Sequence, residues 1–569
     1  MTNNNSKKGD RDGPTGLTKS SSASALSGVR PLVTLNESTL LLPTRGAGSS
    51  TFVSPKYGNN NSNSGTGNHP HVSDDDEEDS YYHFDFIKEQ LLARSDRFTL
   101  NHDADRGYRA KELRFFSFRR PFMRAFHASW ICFFTSFFVQ FSQAPLLPEI
   151  KNSLNLSKSD IWWTNLWMML GGVPMRFLLG PLCDKYGART IMCTVVALAA
   201  IPCALTGYVA VDVTTLTVVR FLLGAMDSFV PSQYWITCHF VREVGGTAMA
   251  VSGGLGASGA GVTQLVTGSL VYSILYDWFD GNADLAWRWT LLAPAVLALL
   301  VAWYFYYYSD DCPLGNFDEV KKAGLMMERS AVDSFRAGVY NLNSWILFAQ
   351  FAGSCGVDFT MCNGTALYYH FCYDQTVAAS GAMAFLYGIS AIFARGVGGW
   401  LSDVVDAKFS LRGRLWLQLV CMLVQGALNI WFARTTDNLT HSLLILVLWS
   451  IVIQMSMGTT YGIVPYVDSP NTGSIAGIVG AGGNVGAAIL ALLFMLADYG
   501  LAMEYMGWFT IVLALLSPCI VIRGYHGILW DGGQDDSDAR VQHSPLMVPG
   551  KMHRSPHFVS IQKRRQQRR

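Results

Sequence analysis

Residues 383–403 read MAFLYGISAIFARGVGGWLSD, an apolar run long enough to cross a bilayer that carries one cation, Arg395, deep inside its length. A guanidinium near the centre of a membrane helix costs roughly 2.5–3.5 kcal/mol even on the lenient insertion scale, so a chain that keeps one normally uses it. The pattern occurs once more around Arg176, in IWWTNLWMMLGGVPMRFLLGPLCD (161–184). In both copies a glycine follows four positions on (Gly180, Gly399) and an aspartate eight positions on (Asp184, Asp403). At about 1.5 Å per helical residue, each arginine lies ~12 Å inside the aspartate that marks the membrane edge, near the midplane of a ~30 Å core. Two buried arginines at matching depths in two halves of one chain predict a central anion site.

The composition agrees with a membrane setting. The 569 residues are 50% hydrophobic and only 15% charged, against the ~25% of an ordinary soluble domain. The charge is concentrated at the two ends, which marks a polytopic membrane protein. The net charge of +1 says nothing about nucleic acid, but no basic stripe interleaved with aromatics appears, so no nucleic-acid partner is expected. The eleven cysteines fall mostly inside apolar runs and form no CxxC pair, so they read as small packing residues. No Ser/His/Asp set, metal-spaced cluster or phosphate loop falls within the apolar spans, and His127, His239 and His370 are isolated near span ends. No enzyme, cofactor or metal is therefore expected.

Residues 1–110, rich in Ser, Asn and Gly, include the run Asn59–Asn63 and the acidic block Asp74–Asp79. They read as a disordered cytoplasmic tail, with a short amphipathic helix over 84–94. Ser73, directly before the acidic block, is either a phosphorylation point or part of a solvated linker. No cleavable signal is visible, so the first apolar helix must itself target the membrane. Apolar segments follow at about 125–148, 161–182, 190–210, 215–240, 246–275 and 288–308. Six more run at about 343–370, 376–402, 413–433, 441–465, 472–497 and 505–525. The expected fold is all-α, with two pseudo-symmetric six-helix halves (120–308 and 343–526), a central loop (309–342) and a basic tail (527–569). Substrate would bind between the halves, with access alternating by rocking of one half against the other.

Loop charges set the orientation. With both ends cytoplasmic, the inner loops collect Arg119, Arg120, Arg124, Lys185, Arg189, Arg242, Lys408, Arg412, Arg414 and Arg523, while the outer loops hold few cations. The sequons at Asn155 and Asn438 then face outward. The tail Lys563–Arg569 is either a solvated end or a contact with anionic lipid.

Specific motifs then narrow the class. GPLCDKYGART (180–190) resembles the G-x-x-x-D-x-x-G-x-R loop of the major facilitator superfamily, and RFLLG (220–224) fits the same superfamily. That loop carries Gly180, Asp184, Gly187 and Arg189, with Asp403 as the equivalent acid in the second half. Further stretches resemble the nitrate/nitrite porter family, in particular its high-affinity eukaryotic branch. These are QAPLLPEIKNSLNLSKSDI (143–161), QYW (233–235), GAGVTQL (259–265), FARGVGGWLSD (393–403), LRGRLW (411–416), YGIVPYV (461–467) and GIVGAGGNVGA (477–487). The resemblance spans about 120–530.

The resemblance implies that Arg176 and Arg395 grip nitrate. The chemistry is apt, because a planar fork of N–H donors suits a planar monoanion with three acceptor oxygens. A structural pairing with helix carbonyls or carboxylates is the other reading. The glycine-rich stretches 253–261 and 480–487 read either as close-packing surfaces or, by resemblance, as flexing helices that line the substrate through Gly256, Gly259, Gly483 and Gly486. The family pattern places an asparagine in each. Asn484 matches the second, whereas Ala257 stands where the first is expected. Phe351 stands where relatives often carry a substrate-facing tyrosine, and Phe229 and Tyr234 are open to stacking on a planar ion or to packing.

The resemblance also implies proton symport, since bringing in one anion against −100 mV costs ~2.3 kcal/mol. The candidate carriers are Asp358 and Asp227. The second is unusual for the family and open to an alternative role as ion-pair partner of an arginine. The expected function is proton-coupled import of nitrate, or nitrite, across the plasma membrane, with an internal organelle membrane as the other location. Some relatives need an accessory membrane protein. The rival readings are a facilitator for an organophosphate or organic acid and a non-transporting nitrate sensor.

Overall fold

Helix starts where the apolar segments start, and polar caps mark many of the boundaries. A computed structural model describes residues 89–323, 331–435, 438–468, 471–530 and 532. The first long helix is α1 (Phe122–Gln140). α2 (Lys158–Tyr186) opens on a reciprocal cap, in which Ser157 accepts from the Asp160 N–H and Asp160 accepts from the Ser157 N–H. α3 (Ala188–Val209) follows, and then α4 (Val213–Ala225), capped in the same way by Asp212 and Thr215. After a break come α5 (Phe229–His239) and α6 (Arg242–Leu265), which a π-type turn joins to α7 (Tyr272–Trp278). α8 (Ala283–Thr290) and α9 (Leu292–Tyr308) end the first half. The second half contains α10 (Leu342–Tyr373), α11 (Val377–Ile389), α12 (Ala391–Arg434), α13 (Leu439–Val467), α14 (Thr472–Leu496) and α15 (Tyr499–Ala514).

Each anticipated apolar segment lies on helix, the last one ending at Cys519. Among the described residues, nine helical runs are long and apolar enough to cross a membrane. One of them, Val377–Arg434, holds two anticipated segments, because Ser410 (φ 55°, ψ −161°) breaks α12 into two helices without a loop. α6 and α10 are long helices outside that set.

The halves meet along two seams, α2 against α14 and α6 against α12. At the end bearing residues 153–158 the seams are sealed. Lys158 Nζ donates to the Ala497 carbonyl (2.7 Å), Gln264 Nε2 to the Cys362 carbonyl (2.7 Å) and Ser269 Oγ to the Ala378 carbonyl (2.6 Å). Arg220 Nη2 bonds Asn363 Oδ1 at 2.9 Å, and Trp162 stacks on Phe494. At the other end, which bears the 180–190 loop, a cleft remains between the halves. It is lined by Gln233 and Tyr234 on one side and by Tyr461, Pro465 and Gly473 on the other.

The described part of the expected 84–94 helix is helical, but the disordered tail anticipated for 1–110 does not extend through its last stretch. Residues 89–93 are helical, and His102–Asp103 pairs antiparallel with Arg109–Ala110. This segment docks on the bundle: Ala110 bridges Phe240, and Arg94 pairs with Glu319 at 3.0 Å. Leu91 packs with Cys312, Leu314, Val320 and Ala323. The apolar side chains Leu91, Leu100 and Ala110, buried here, were overlooked against the polar background. The central loop likewise contains helix, over Phe317–Lys322 and Ala331–Tyr340. Ser73, the acidic block, most of the 84–94 helix and the tail from 533 on lie outside the described residues.

Asp311 anchors the loop end of the first half. Its carboxylate accepts from the Arg189 N–H at 2.9 Å and pairs with the Arg189 guanidinium at 3.5 Å. Burial raises the Asp311 carboxyl above the usual carboxylate range, against the pull of Arg189 and three backbone N–H groups. Gly187, between α2 and α3, holds φ 86° and ψ 148°, and a Cβ there would run into Asp311. Gly187→Ala is therefore expected to cost about 1–3 kcal/mol. Gly180→Ala, where an added Cβ meets nothing within 4 Å, should cost nothing. Thermal unfolding of the detergent-solubilised protein checks this; equal midpoints for the two variants would refute the strain argument.

Candidate functional site

Arg176 is positioned by α2, about one turn after Gly171 and Gly172 bring that helix close to α4 and α14. Its side chain is 1% exposed, a depth at which every N–H needs a partner. Nε and Nη2 reach Asp227 Oδ2 at 2.7 and 2.6 Å, and Nη1 donates to the Gly480 carbonyl at 2.6 Å. Asp227 lies in the break between α4 and α5, where its other oxygen accepts from the Phe229 N–H (2.9 Å) at the positive start of α5. The ring faces of Phe229 and Phe359 cover the guanidinium at 4.9 and 5.6 Å.

Arg395 repeats the arrangement from the other half. Its Nη1 donates to the Gly253 carbonyl (3.1 Å), as Arg176 does to Gly480, so each arginine grips the glycine-rich backbone of the opposite half. A side chain at Gly480 would press on Arg176 Nη1, 2.8 Å from its Cβ. The carboxylate partner differs. Asp358 stands 3.9 Å from Arg395 Nη2, and Gln454 intervenes, accepting from Nε and Nη2 at 3.1 and 2.8 Å. Gln454 donates in turn to Asp358 Oδ1 (2.9 Å), which also accepts from the Tyr387 hydroxyl (3.0 Å). Arg395 Nη2 also meets Met457 Sδ at 3.3 Å. Arg176 is thus directly neutralised, whereas Arg395 is held mainly by neutral groups, with one Nη1 N–H to spare and one Nη2 N–H on a weakly accepting sulfur. Of the two guanidiniums, Arg395 is the better placed to take an added anion.

Tyr461 stands between the two. Its ring packs edge-on to Phe229 and Phe351, with centroids 5.1 and 5.2 Å apart. Its hydroxyl donates to the Ala476 carbonyl at 3.2 Å, and a Cβ at Gly480 would lie within 3.4 Å of both that oxygen and Arg176 Nη1. A tyrosine ring therefore packs on Phe351, the position where relatives often carry a tyrosine, with its hydroxyl turned to α14.

The remaining candidates fall elsewhere. Asn484 Nδ2 donates to the Met169 carbonyl at 3.1 Å, joining α14 to α2. Gly256 and Gly259 abut Phe133 and the Phe134 carbonyl, while Gly483 and Gly486 abut Cys355 and the Ala352 backbone, so all four stand at close helix crossings. Asp184 accepts from the Tyr234 hydroxyl (2.6 Å), which points Tyr234 away from the arginines. Asp403 pairs with Arg414 at 2.8 Å and accepts from Thr247 at 2.6 Å. Among the described residues, no group of three or more His, Cys, Asp or Glu side chains is placed to hold a metal.

Three site residues carry no role in the sequence reading: Gln454, which no motif covers, and Gln233 and Tyr461, which open the stretches QYW and YGIVPYV. Each is a polar side chain inside an apolar run, the same signal that exposed the arginines. Without a charge it stood out less.

The Major Facilitator Superfamily model matches residues 129–491. The chain is 33% identical to the high affinity nitrate transporter 2.7 of Arabidopsis thaliana over 437 residues, 74% of this chain and 88% of that one. It is 32% identical to nitrate transporter 2.2 of Chlamydomonas reinhardtii over 388 residues, 67% of this chain and 74% of the other. Among solved structures it is similar to a bacterial homolog of the human lysosomal transporter Spinster in an inward-facing, unoccupied conformation. That likeness has a TM-score of 0.53 at 15% identity, covers 70% of this chain and 97% of that one, and speaks to the fold alone.

The Arg176–Asp227 pair carries a stability consequence. Asp227→Ala leaves a guanidinium buried without its carboxylate and should destabilise by about 3–5 kcal/mol, while Arg176→Met with Asp227→Leu should cost far less. Thermal unfolding of the purified single and double variants measures the difference; a double variant no better than the single would show the loss has another source.

Proposed function

The chain belongs to the Major Facilitator Superfamily, within its high-affinity nitrate transporter group, and on that premise we propose that it imports nitrate, with nitrite as a second substrate, by proton-coupled alternating access. The observation that carries the reading is the central pair of guanidiniums, each bonded across the seam to a glycine carbonyl of the other half. An anion held between them touches both halves at once. Its arrival and departure therefore bear on the contacts that must change when the halves rock.

Charge balance argues for the proton. Arg176 and Arg395 face Asp227 and Asp358, so the empty site is formally neutral and an incoming monoanion would leave it negative. Protonating one carboxylate restores neutrality and frees guanidinium N–H groups for the anion. Asp358, which already stands off from Arg395, is the carrier this geometry favours, and Asp227 is the second. More than one proton per nitrate makes the cycle bring in net positive charge, with the membrane potential as driving force. The loop charges support a topology with both ends in the cytoplasm and the 180–190 loop inside, in which the cleft at that end is the inner mouth. The plasma membrane is the natural site for uptake.

Two measurements test the reading. Nitrate should evoke an inward current in a heterologous cell that grows as external pH falls from 7.5 to 5.5, and Asp358→Asn should flatten that dependence; a current indifferent to pH in the unmodified protein removes the proton. Labelled-nitrate uptake should fall at least tenfold in Arg395→Lys and also strongly in Arg176→Lys, because lysine keeps the charge and loses the planar fork. Normal uptake by either variant would end the clamp hypothesis, and competition by organophosphates rather than by nitrite would redirect it to another anion.

A further inference from the structure

Gln233 on α5 is 4% exposed, and its Nε2 has no hydrogen-bond partner. A buried amide donor left unmade costs about 1–3 kcal/mol, so its presence calls for a partner that comes and goes. The direction in which it points is fixed by Gly253. The position a Cβ would take on Gly253 lies 3.6 Å from Gln233 Nε2 and 3.7 Å from Arg395 Nη1. Two donors from opposite halves thus converge on one small space that the missing side chain keeps clear. Gln233 also lines the inner cleft, so this space is within reach of that mouth.

We propose that Gln233 is a third direct ligand of the transported oxyanion, alongside the two arginines; this rests on the nitrate reading above. Arg395 has five N–H groups, of which Nε, both on Nη2 and one on Nη1 are engaged by Gln454, Met457 Sδ and Gly253. One N–H stays free on Nη1, and the Nη2 N–H that meets only the weakly accepting Met457 sulfur (3.3 Å) can turn to the anion, so the end of the guanidinium can hold two of its oxygens. Gln233 Nε2 takes the third oxygen. Being neutral, it adds a bond without disturbing the balance of two guanidiniums and two carboxylates. The assignment separates substrates by oxygen count, because nitrate has a third oxygen for Gln233 and nitrite has none.

The test compares apparent KM for nitrate and for nitrite in cells expressing the full chain, with surface abundance quantified. Gln233→Leu is expected to raise the nitrate KM roughly tenfold, to move the nitrite KM less than twofold and to leave the maximal rate largely intact. If leucine keeps the protein from the membrane, the unbranched Gln233→Met carries the same comparison. An unchanged nitrate KM overturns the assignment, and so does an equal rise for both anions, which would mark a structural role. An unmodified chain that moves neither anion overturns the nitrate reading as well, whereas one that moves both while the variants match it overturns Gln233 alone.

Discussion

A guanidinium cannot stay in a bilayer-spanning bundle without partners, and the architecture follows from how two of them are satisfied. Arg176 and Arg395 each spend an N–H on a carbonyl belonging to the opposite half. A carbonyl inside a helix is already bonded along the helix and becomes available sideways only where no side chain shields it. The glycine-rich stretches provide that bare backbone, and the close α2–α14 and α6–α12 seams come with it. The small residues therefore serve packing and charge accommodation together.

The two halves are similar without being equivalent. In the first, the carboxylate touches the arginine; in the second, an amide and a tyrosine hydroxyl stand between them. A direct ion pair in a low-dielectric core is held tightly but offers little to a newcomer, while an amide-supported cation keeps its field. On the proposed function this divides the labour, with Arg176 mainly anchoring the seam and Arg395 left to receive the ligand. The aromatic set of Phe229, Phe351, Phe359 and Tyr461 excludes water from the space between them and so strengthens each remaining polar contact.

Much of this was legible in the chain because lipid makes the rules strict. A charge in an apolar run is conspicuous, and the equal spacing of Arg176 and Arg395 from their aspartates marks them as a matched pair in the two halves. Asp227 could be weighed as an ion-pair partner for the same reason. The choice of partners was not legible, since it depends on which helix faces bring Gln454, Gln233 and Tyr461 inward, and neutral polar residues carry no positional mark. Asn484 shows the converse: a motif position marked it out, but its amide joins two helices through Met169. The folded segment from residue 89 onward escaped because its few apolar residues sit at irregular intervals, and only the bundle end shows what they fit.

The seal at the end bearing residues 153–158 is made of separate small fastenings. Lys158, Gln264 and Ser269 each clip to a backbone carbonyl, Arg220 clips to an amide, and one stacked ring pair backs them. None is a carboxylate pair, and a water molecule can stand in for each of the bonds at a net change of only about 1 kcal/mol or somewhat more. Such a closure yields like a zip, tooth by tooth, as solvent threads in from the rim. The return stroke of the empty carrier would then be governed by wetting of this seam.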